Sequence, residues 1–260
     1  MQQSRHILLD GAQNFRDIGG LAGENGKIIN QGLIFRSDEL SKLTEKDHAV
    51  FEKLRIKTVC DLRTLNERKA LLDKLPPNCG INFVNIPLSD QNRNVNYFQF
   101  FFHLTFHGKG INFEQFIKDH YFSNAFNRTE QIKSIFQLVA NRKNLPAVIH
   151  CTVGKDRTGL LSALIQLLCG VAYKDVMDDY LLTNEYTKVR IEKMIKFIRR
   201  MSFFQISAKR LEPLLQARYE YLDDILTKIL NKYGSVQAYL TEACNISDET
   251  LAELKSILLT

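Results

Sequence analysis

The chain has 260 residues, 45% of them hydrophobic, and 35 basic against 29 acidic side chains leave a net charge of +6. This is the composition of an ordinary globular protein, long enough to bury a full core as one domain over residues 1–260, and its modest positive charge suits anionic partners. Five scattered cysteines argue against a disulfide framework, and neither a metal-ligand cluster nor a nucleic-acid motif is visible, so a metal, a cofactor and a nucleic-acid partner are not expected.

Asn14 to Gly20 reads as a turn-rich segment, Gly23-Glu24-Asn25-Gly26 as a hairpin turn leading into Lys27-Ile28-Ile29, and Leu33 to Arg36 as a strand end. Thr44, with Asp47 three residues on, opens a helix that runs to Leu54. Ile56 to Arg63 is a strand ending in charges, Thr64 to Leu72 a helix, and Ile81 to Leu88 another strand after Pro76-Pro77. Residues 89–130 are the least regular part. Their Tyr97–Phe106 stretch is strongly aromatic and fits either a core element or a lid or wall over a substrate. Helices follow at Phe113 to Tyr121 and Arg128 to Asn141, then a short buried strand, Leu145 to Ile149.

From 160 onward the chain is helical. Leu160 to Cys169 is apolar and ends at Gly170. Tyr173 to Tyr186 carries Asp175, Asp178 and Asp179 on what reads as a polar face. Lys188 to Met201 sets Lys193, Lys196, Arg199 and Arg200 opposite Val189, Met194, Ile195 and Ile198. Such a basic amphipathic helix is either a solvated outer face or a surface that touches anionic lipid. Further helices are expected near Leu211 to Lys232, Ser235 to Glu242 and Asp248 to Leu259, so 171–260 forms a helical part packed on the core. Alternating strands and helices define an α/β fold with a central, mostly parallel sheet.

The chemistry sits between the last strand and the helix after it, in His150-Cys151-Thr152-Val153-Gly154-Lys155-Asp156-Arg157-Thr158-Gly159. A loop of this length can curl its amides around one tetrahedral anion at a helix N-terminus, with Gly154 supplying the permissive backbone. Thr152, Val153, Gly154, Lys155 and Asp156 supply the cradle, and Arg157 can fork two donors onto two phosphate oxygens. Cys151 at the floor, with a helix dipole and a guanidinium nearby, is set up as a thiolate nucleophile aimed at phosphorus. A thiol that only filled core space would not require an arginine six positions on. Thr158 can donate to the sulfur, and His150 braces the loop through its ring nitrogens. Arg16, Asp17, Arg36 and Asp38 are either surface charges or an ion-pair network beneath the site.

His-Cys-x5-Arg-Thr-Gly resembles the signature of the cysteine-dependent protein tyrosine phosphatases. With Gly-Lys-Asp inside the loop it is similar to the bacterial branch of tyrosine and lipid phosphatases, the branch of mycobacterial protein tyrosine phosphatase B. Asn14-Phe15-Arg16-Asp17-Ile18-Gly19-Gly20, Arg36-Ser37-Asp38, Asp61-Leu62-Arg63 with Glu67-Arg68, and Tyr233-Gly234-Ser235 resemble the same branch, so the likeness runs along almost the whole chain. The resemblance implies a phosphomonoesterase with a cysteinyl-phosphate intermediate and no metal, and a tyrosine-phosphatase-like fold with a helical lid. It also implies Asp61 supporting the loop and Asp156 as the general acid. Asp90, in the loop after the strand ending at Leu88, is the alternative acid, since the tryptophan-flanked acid loop of many relatives is excluded by a chain with no tryptophan. Lys155 adds a point charge at the pocket rim that a phosphoinositide would use, so phosphorylated protein and phosphoinositide are both expected substrates. The other readings are a phosphoinositide-specific phosphatase and a phosphate-binding module without catalysis. Met1 to Arg16 has no apolar segment of signal-peptide length, so the chain is expected in the cytoplasm or exported without a cleavable signal.

Overall fold

The computed structural model describes residues 5–77, 79–89 and 112–259. Five short strands, β1 (Arg16–Asp17), β2 (Ile34–Ser37), β3 (Thr58–Asp61), β4 (Asn82–Asn85) and β5 (Ala147–His150), form one sheet in the order β1-β2-β5-β3-β4. β2, β5, β3 and β4 run parallel, and only β1 is antiparallel to its neighbour. β5, the most apolar strand, lies in the middle with partners on both edges, as a strand buried on both faces should.

The strands alternate their side chains between two cores. Phe35, Val59 and Val148 point to one face and pack with Phe15 and Phe51. Ile34, Cys60, Ala147 and Ile149 point to the other, where most of the helices lie. Each fully buried Val, Ile or Phe side chain contributes about 1.5–3 kcal/mol by leaving water.

Helix α1 (Glu45–Lys53) starts at a capping box between Thr44 and Asp47 and covers the first face with Phe51. α2 (Leu65–Ala70) starts at a second capping box, Thr64 with Glu67. α3 (Phe113–Phe126), α4 (Thr129–Val139), α5 (Asp156–Leu168), α6 (Tyr173–Tyr186), α7 (Lys188–Met201), α8 (Ala208–Leu215), α9 (Tyr219–Tyr233) and α10 (Asp248–Leu258) build the second layer. Eleven of the thirteen α5 residues are buried, so this helix is the axis around which the others pack. It ends at Gly170, whose φ of +77° closes the helix in a conformation glycine adopts freely.

Two expectations need correction. The helix anticipated from Leu211 to Lys232 is two helices, α8 and α9, broken at 216–218. The break is made by tertiary capture: Asn184 accepts from the Ala217 amide and donates to its carbonyl, both at 2.7 Å, and Lys155 takes the Leu214 and Gln216 carbonyls. Local propensity carries no sign of partners so distant in sequence. Asp179 is also not on a polar face: it is 2% exposed and takes three arginines. The aromatic stretch Tyr97–Phe106 and Asp90 lie outside the described residues. Among the described residues no helix is long and apolar enough to cross a membrane.

Candidate active site

β5 delivers Cys151 to the C-terminal edge of the sheet, where ligands of open α/β folds bind, and the chain turns at once into α5. Cys151 is buried, and the Gly154 amide donates to its Sγ at 3.3 Å. The loop has therefore curled back over its own sulfur. Gly154 makes this possible: its φ is +71°, and a Cβ there would lie 2.5 Å from the Ser37 carbonyl oxygen and 2.7 Å from Asn14 Nδ2. Asn14 sits that close because it braces the loop, donating to the carbonyls of Val153 at 3.0 Å and Gly154 at 3.1 Å. Arg36 donates to the Gly154 carbonyl at 2.8 Å from beneath. With these two carbonyls tied back, the loop and the first turn of α5 are left able to present amides to an anion.

Arg157 is held by Glu67 in a two-pronged pair, Nη2 to Oε1 at 2.6 Å and Nη1 to Oε2 at 2.8 Å, and Nη1 also donates to the Leu62 carbonyl at 3.2 Å. The Thr152 hydroxyl donates to Glu67 Oε1 at 2.7 Å. Burial by itself would raise the Glu67 carboxyl. The Arg157 guanidinium, with the donors on Thr152 and Thr64, outweighs it and holds the group well below the usual carboxylate range. Glu67 thus performs two tasks, since Oε2 also accepts from the Thr64 amide at 2.9 Å to close the α2 capping box. The sequence places Glu67 only within a motif and gives it no role of its own.

His150 and Asp61 stand one layer back. Asp61 binds Arg63 through both oxygens at 2.9 Å and lies 3.8 Å from His150 Nε2, so it acts on the loop only through other residues. His150 Nε2 is 3.3 Å from Asp73, and Nδ1 is 3.4 Å from the Cys151 carbonyl, which is a bracing position. Asp61, Asp73 and His150 could offer three metal-ligand atoms within 4.8 Å of one another. The Arg63 guanidinium already pairs with both carboxylates, which makes the cluster a charge-neutralised brace.

The network expected beneath the loop is present, with a different membership. Arg5, Arg16 and Arg36 converge on Asp179 of α6, and Arg16 also donates to Asn14. Burial lowers the Arg36 guanidinium to about 10, with the nearby Cys151 opposing that shift. Asp38 accepts from the Gln13 and Asn14 amides and from Arg190, whereas Asp17 serves the backbone turns at Gly19 and Gly32.

Two loop side chains depart from expectation. Lys155 is not at a pocket rim: it is 1% exposed, and its Nζ donates to the Leu214 carbonyl at 2.9 Å and the Gln216 carbonyl at 3.1 Å. The carbonyls at the end of α8 outcompete solvent for the ammonium. Thr158 makes no hydrogen bond to the sulfur; its hydroxyl is buried without a partner, and the Gly154 amide supplies the donor at Sγ instead. Asp156 opens α5 with a side chain 20% exposed; its Oδ1 makes no hydrogen bond and lies 3.4 Å from Lys155 Nζ. Beside it stand two residues of α3 that sequence reasoning passed over. Burial pushes His120 down to about 4 against the pull of Asp156, so the imidazole is neutral, and burial with the charge of Asp156 raises the Tyr121 hydroxyl.

A cysteine held under backbone amides at a helix N-terminus, with an arginine locked beside it, defines a cysteine-dependent phosphatase. The tyrosine phosphatase family model matches residues 7–260, and the chain belongs to that family as a protein-tyrosine-phosphatase-type enzyme. A protein of Cupriavidus necator named as a tyrosine-protein phosphatase is 26% identical over 245 residues, 94% of this chain and 86% of the relative. The triple specificity protein phosphatase PtpB of Mycobacterium tuberculosis is 27% identical over 277 residues, 96% of this chain and 98% of the relative. Among solved structures, the core catalytic domain of the PP-IP phosphatase SIW14 from S. cerevisiae aligns over 87% of this chain and 96% of that one, with 19% identity and a TM-score of 0.38.

Proposed function

We propose that the chain hydrolyses phosphate monoesters of the phosphotyrosine type, with phosphoinositides as a second substrate class, through a cysteinyl-phosphate intermediate on Cys151. The observation that carries this reading is the Gly154 amide on Cys151 Sγ at 3.3 Å, in a loop whose Val153 and Gly154 carbonyls are drawn away from it by Asn14 and Arg36. Arg157, held beside the loop by Glu67, supplies the positive charge that the phosphate oxygens meet and helps keep the phosphorus in line with the sulfur. The thiolate attacks phosphorus; the S–P bond forms, the P–O bond to the leaving group breaks, and Asp156 gives its proton to the departing oxygen. Water then attacks phosphorus, Asp156 takes a proton from it, and the thiolate leaves. The position of Asp156 supports its role as acid, since its side chain lies beside the loop and is 20% exposed. A second substrate class is supported by the likeness to a relative named for triple specificity, while Lys155, bound to the Leu214 carbonyl, offers no rim charge to a phosphoinositide.

The test is phosphate release by wild type, Cys151→Ser, Asp156→Asn and Asp90→Asn on a phosphotyrosine peptide and on mono- and bis-phosphorylated phosphoinositides. The expected result is no turnover by Cys151→Ser and a loss of about 10²–10⁴-fold in Asp156→Asn alone. Collapse in Asp90→Asn with Asp156→Asn unaffected moves the acid to the other loop, and wild type inert on every ester overturns the reading.

A further inference from the structure

We infer that the outer face of α7 and the turn that ends it form a docking surface for an anionic lipid bilayer. α7 carries two apolar stripes. The inner one, Ile191 and Ile198 with Met194 and Ile195, packs into the core. The outer one is left in solvent, with Val189 53% exposed, Phe197 51% and Met201 49%, and the turn beyond it adds Phe203 at 80% and Phe204 at 68%. Lys193, Lys196 and Arg200 are interleaved with it at helical spacing and are exposed.

Charge and shape make the bilayer the occupant. α7, residues 188–201, holds six basic side chains and one acidic, Glu192, a net of +5 out of the +6 of the entire chain. The rest of the molecule is therefore close to neutral, and its positive field is concentrated on this one element. A soluble polyanion would be satisfied by the lysines and arginines and would have no use for two phenylalanines. An apolar partner groove would have no use for the charges. The two together match the bilayer interface, where phosphate groups lie directly above acyl chain.

The turn is also built to present its aromatics. Phe203 and Phe204 have φ of +47° and +62°, the left-handed region that helix ends normally fill with glycine. Bulky residues there are unfavourable, yet the turn is held by the Phe203 amide on the Arg200 carbonyl at 3.1 Å and the Phe204 amide on the Arg199 carbonyl at 2.7 Å. The Arg199 guanidinium stacks 5.5 Å over the Phe204 ring, placing a cation against the aromatic tip.

The surface is tied to the active site. Arg190, at the other end of the same helix, donates to the Thr152 carbonyl at 3.2 Å and to Asp38 at 2.6 Å. Eleven residues of helix separate it from the turn, about 16 Å. Docking would therefore hold the phosphate loop at a fixed short distance from lipid phosphates. That consequence rests on the phosphatase reading; the docking itself does not.

The experiment is flotation of the full chain with vesicles of phosphatidylcholine alone and of phosphatidylcholine with phosphatidylserine, with turnover of a soluble aryl phosphate measured alongside. Wild type is expected to partition to the anionic vesicles at least about tenfold above the neutral ones, falling with added salt. Lys193→Glu with Lys196→Glu should weaken this by roughly fivefold per lysine, and Phe203→Ser with Phe204→Ser by about tenfold or more. Both pairs should leave soluble turnover unchanged, which shows that they fold. Equal partitioning to both vesicles, no partitioning, or both pairs behaving as wild type overturns the inference. So does a wild-type dimer that the phenylalanine pair dissociates without any lipid binding. Failure of the phosphatase reading shows separately, as absent turnover of the soluble ester.

Discussion

Replacing Glu67 with glutamine removes one charge from the site and almost nothing else. The volume is kept, and glutamine can still complete the α2 capping box with Thr64. The Arg157 guanidinium loses its two-pronged partner, two charge-assisted hydrogen bonds at 2.6 and 2.8 Å between groups only 8% and 13% exposed. Such bonds contribute about 1.5–3 kcal/mol each, and the amide keeps one weaker acceptor while turning a donor toward a donor. A net loss of about 2 kcal/mol of orientation corresponds to roughly a 30-fold fall in kcat. A second effect runs the other way: an arginine without its carboxylate presents more positive charge to a phosphate dianion, so KM should not rise. Steady-state kinetics on an aryl phosphate separates the two, and an unchanged kcat, or a KM that climbs with kcat intact, would refute the clamp. Stability carries the same signature. The Glu67 carboxyl is depressed below its ordinary 4.5, so its contribution is fully present above that pH and is lost as pH falls toward the depressed folded value. Acid titration of unfolding should therefore show wild type losing more stability below pH 4.5 than Glu67→Gln.

Gly154→Ala would force a Cβ to within 2.5 Å of the Ser37 carbonyl oxygen, a backbone atom that cannot swing aside, so the loop must shift and phosphate release should fall by about 10²-fold with the melting temperature nearly kept; activity within threefold would show that the loop tolerates another curl. Lys155→Met leaves the Leu214 and Gln216 carbonyls without their buried donor and should cost about 2–3 kcal/mol, read as a drop of roughly 4–12 °C in a thermal melt, with KM for a soluble aryl phosphate little changed. A raised KM at an unchanged melting temperature would return Lys155 to the pocket rim.

The chemistry-bearing loop was legible in sequence because its logic is local. A buried strand, a cysteine, a permissive glycine, an arginine and a helix start follow one another within about a dozen residues, and steric and electrostatic rules act at that range. The parallel sheet was legible for a similar reason, since Ala147-Val148-Ile149 can only be buried on both faces. What lay hidden were the partners of charged groups. Glu67 was one charge of a motif with no partner named, Asp179 read as solvated, and Lys155 as a rim charge, because each chooses its partner across the fold: Arg157 from 90 residues away, Arg36 from 143, the Leu214 carbonyl from 59. A helical position fixes where a side chain begins and says nothing of which opposite charge or orphan carbonyl will be packed against it. Sequence by itself therefore determined the cysteine-bearing loop and the order of elements. Only the tertiary structure decided which buried charges hold the loop in shape, because their desolvation is repaid only by partners that folding brings within 3 Å.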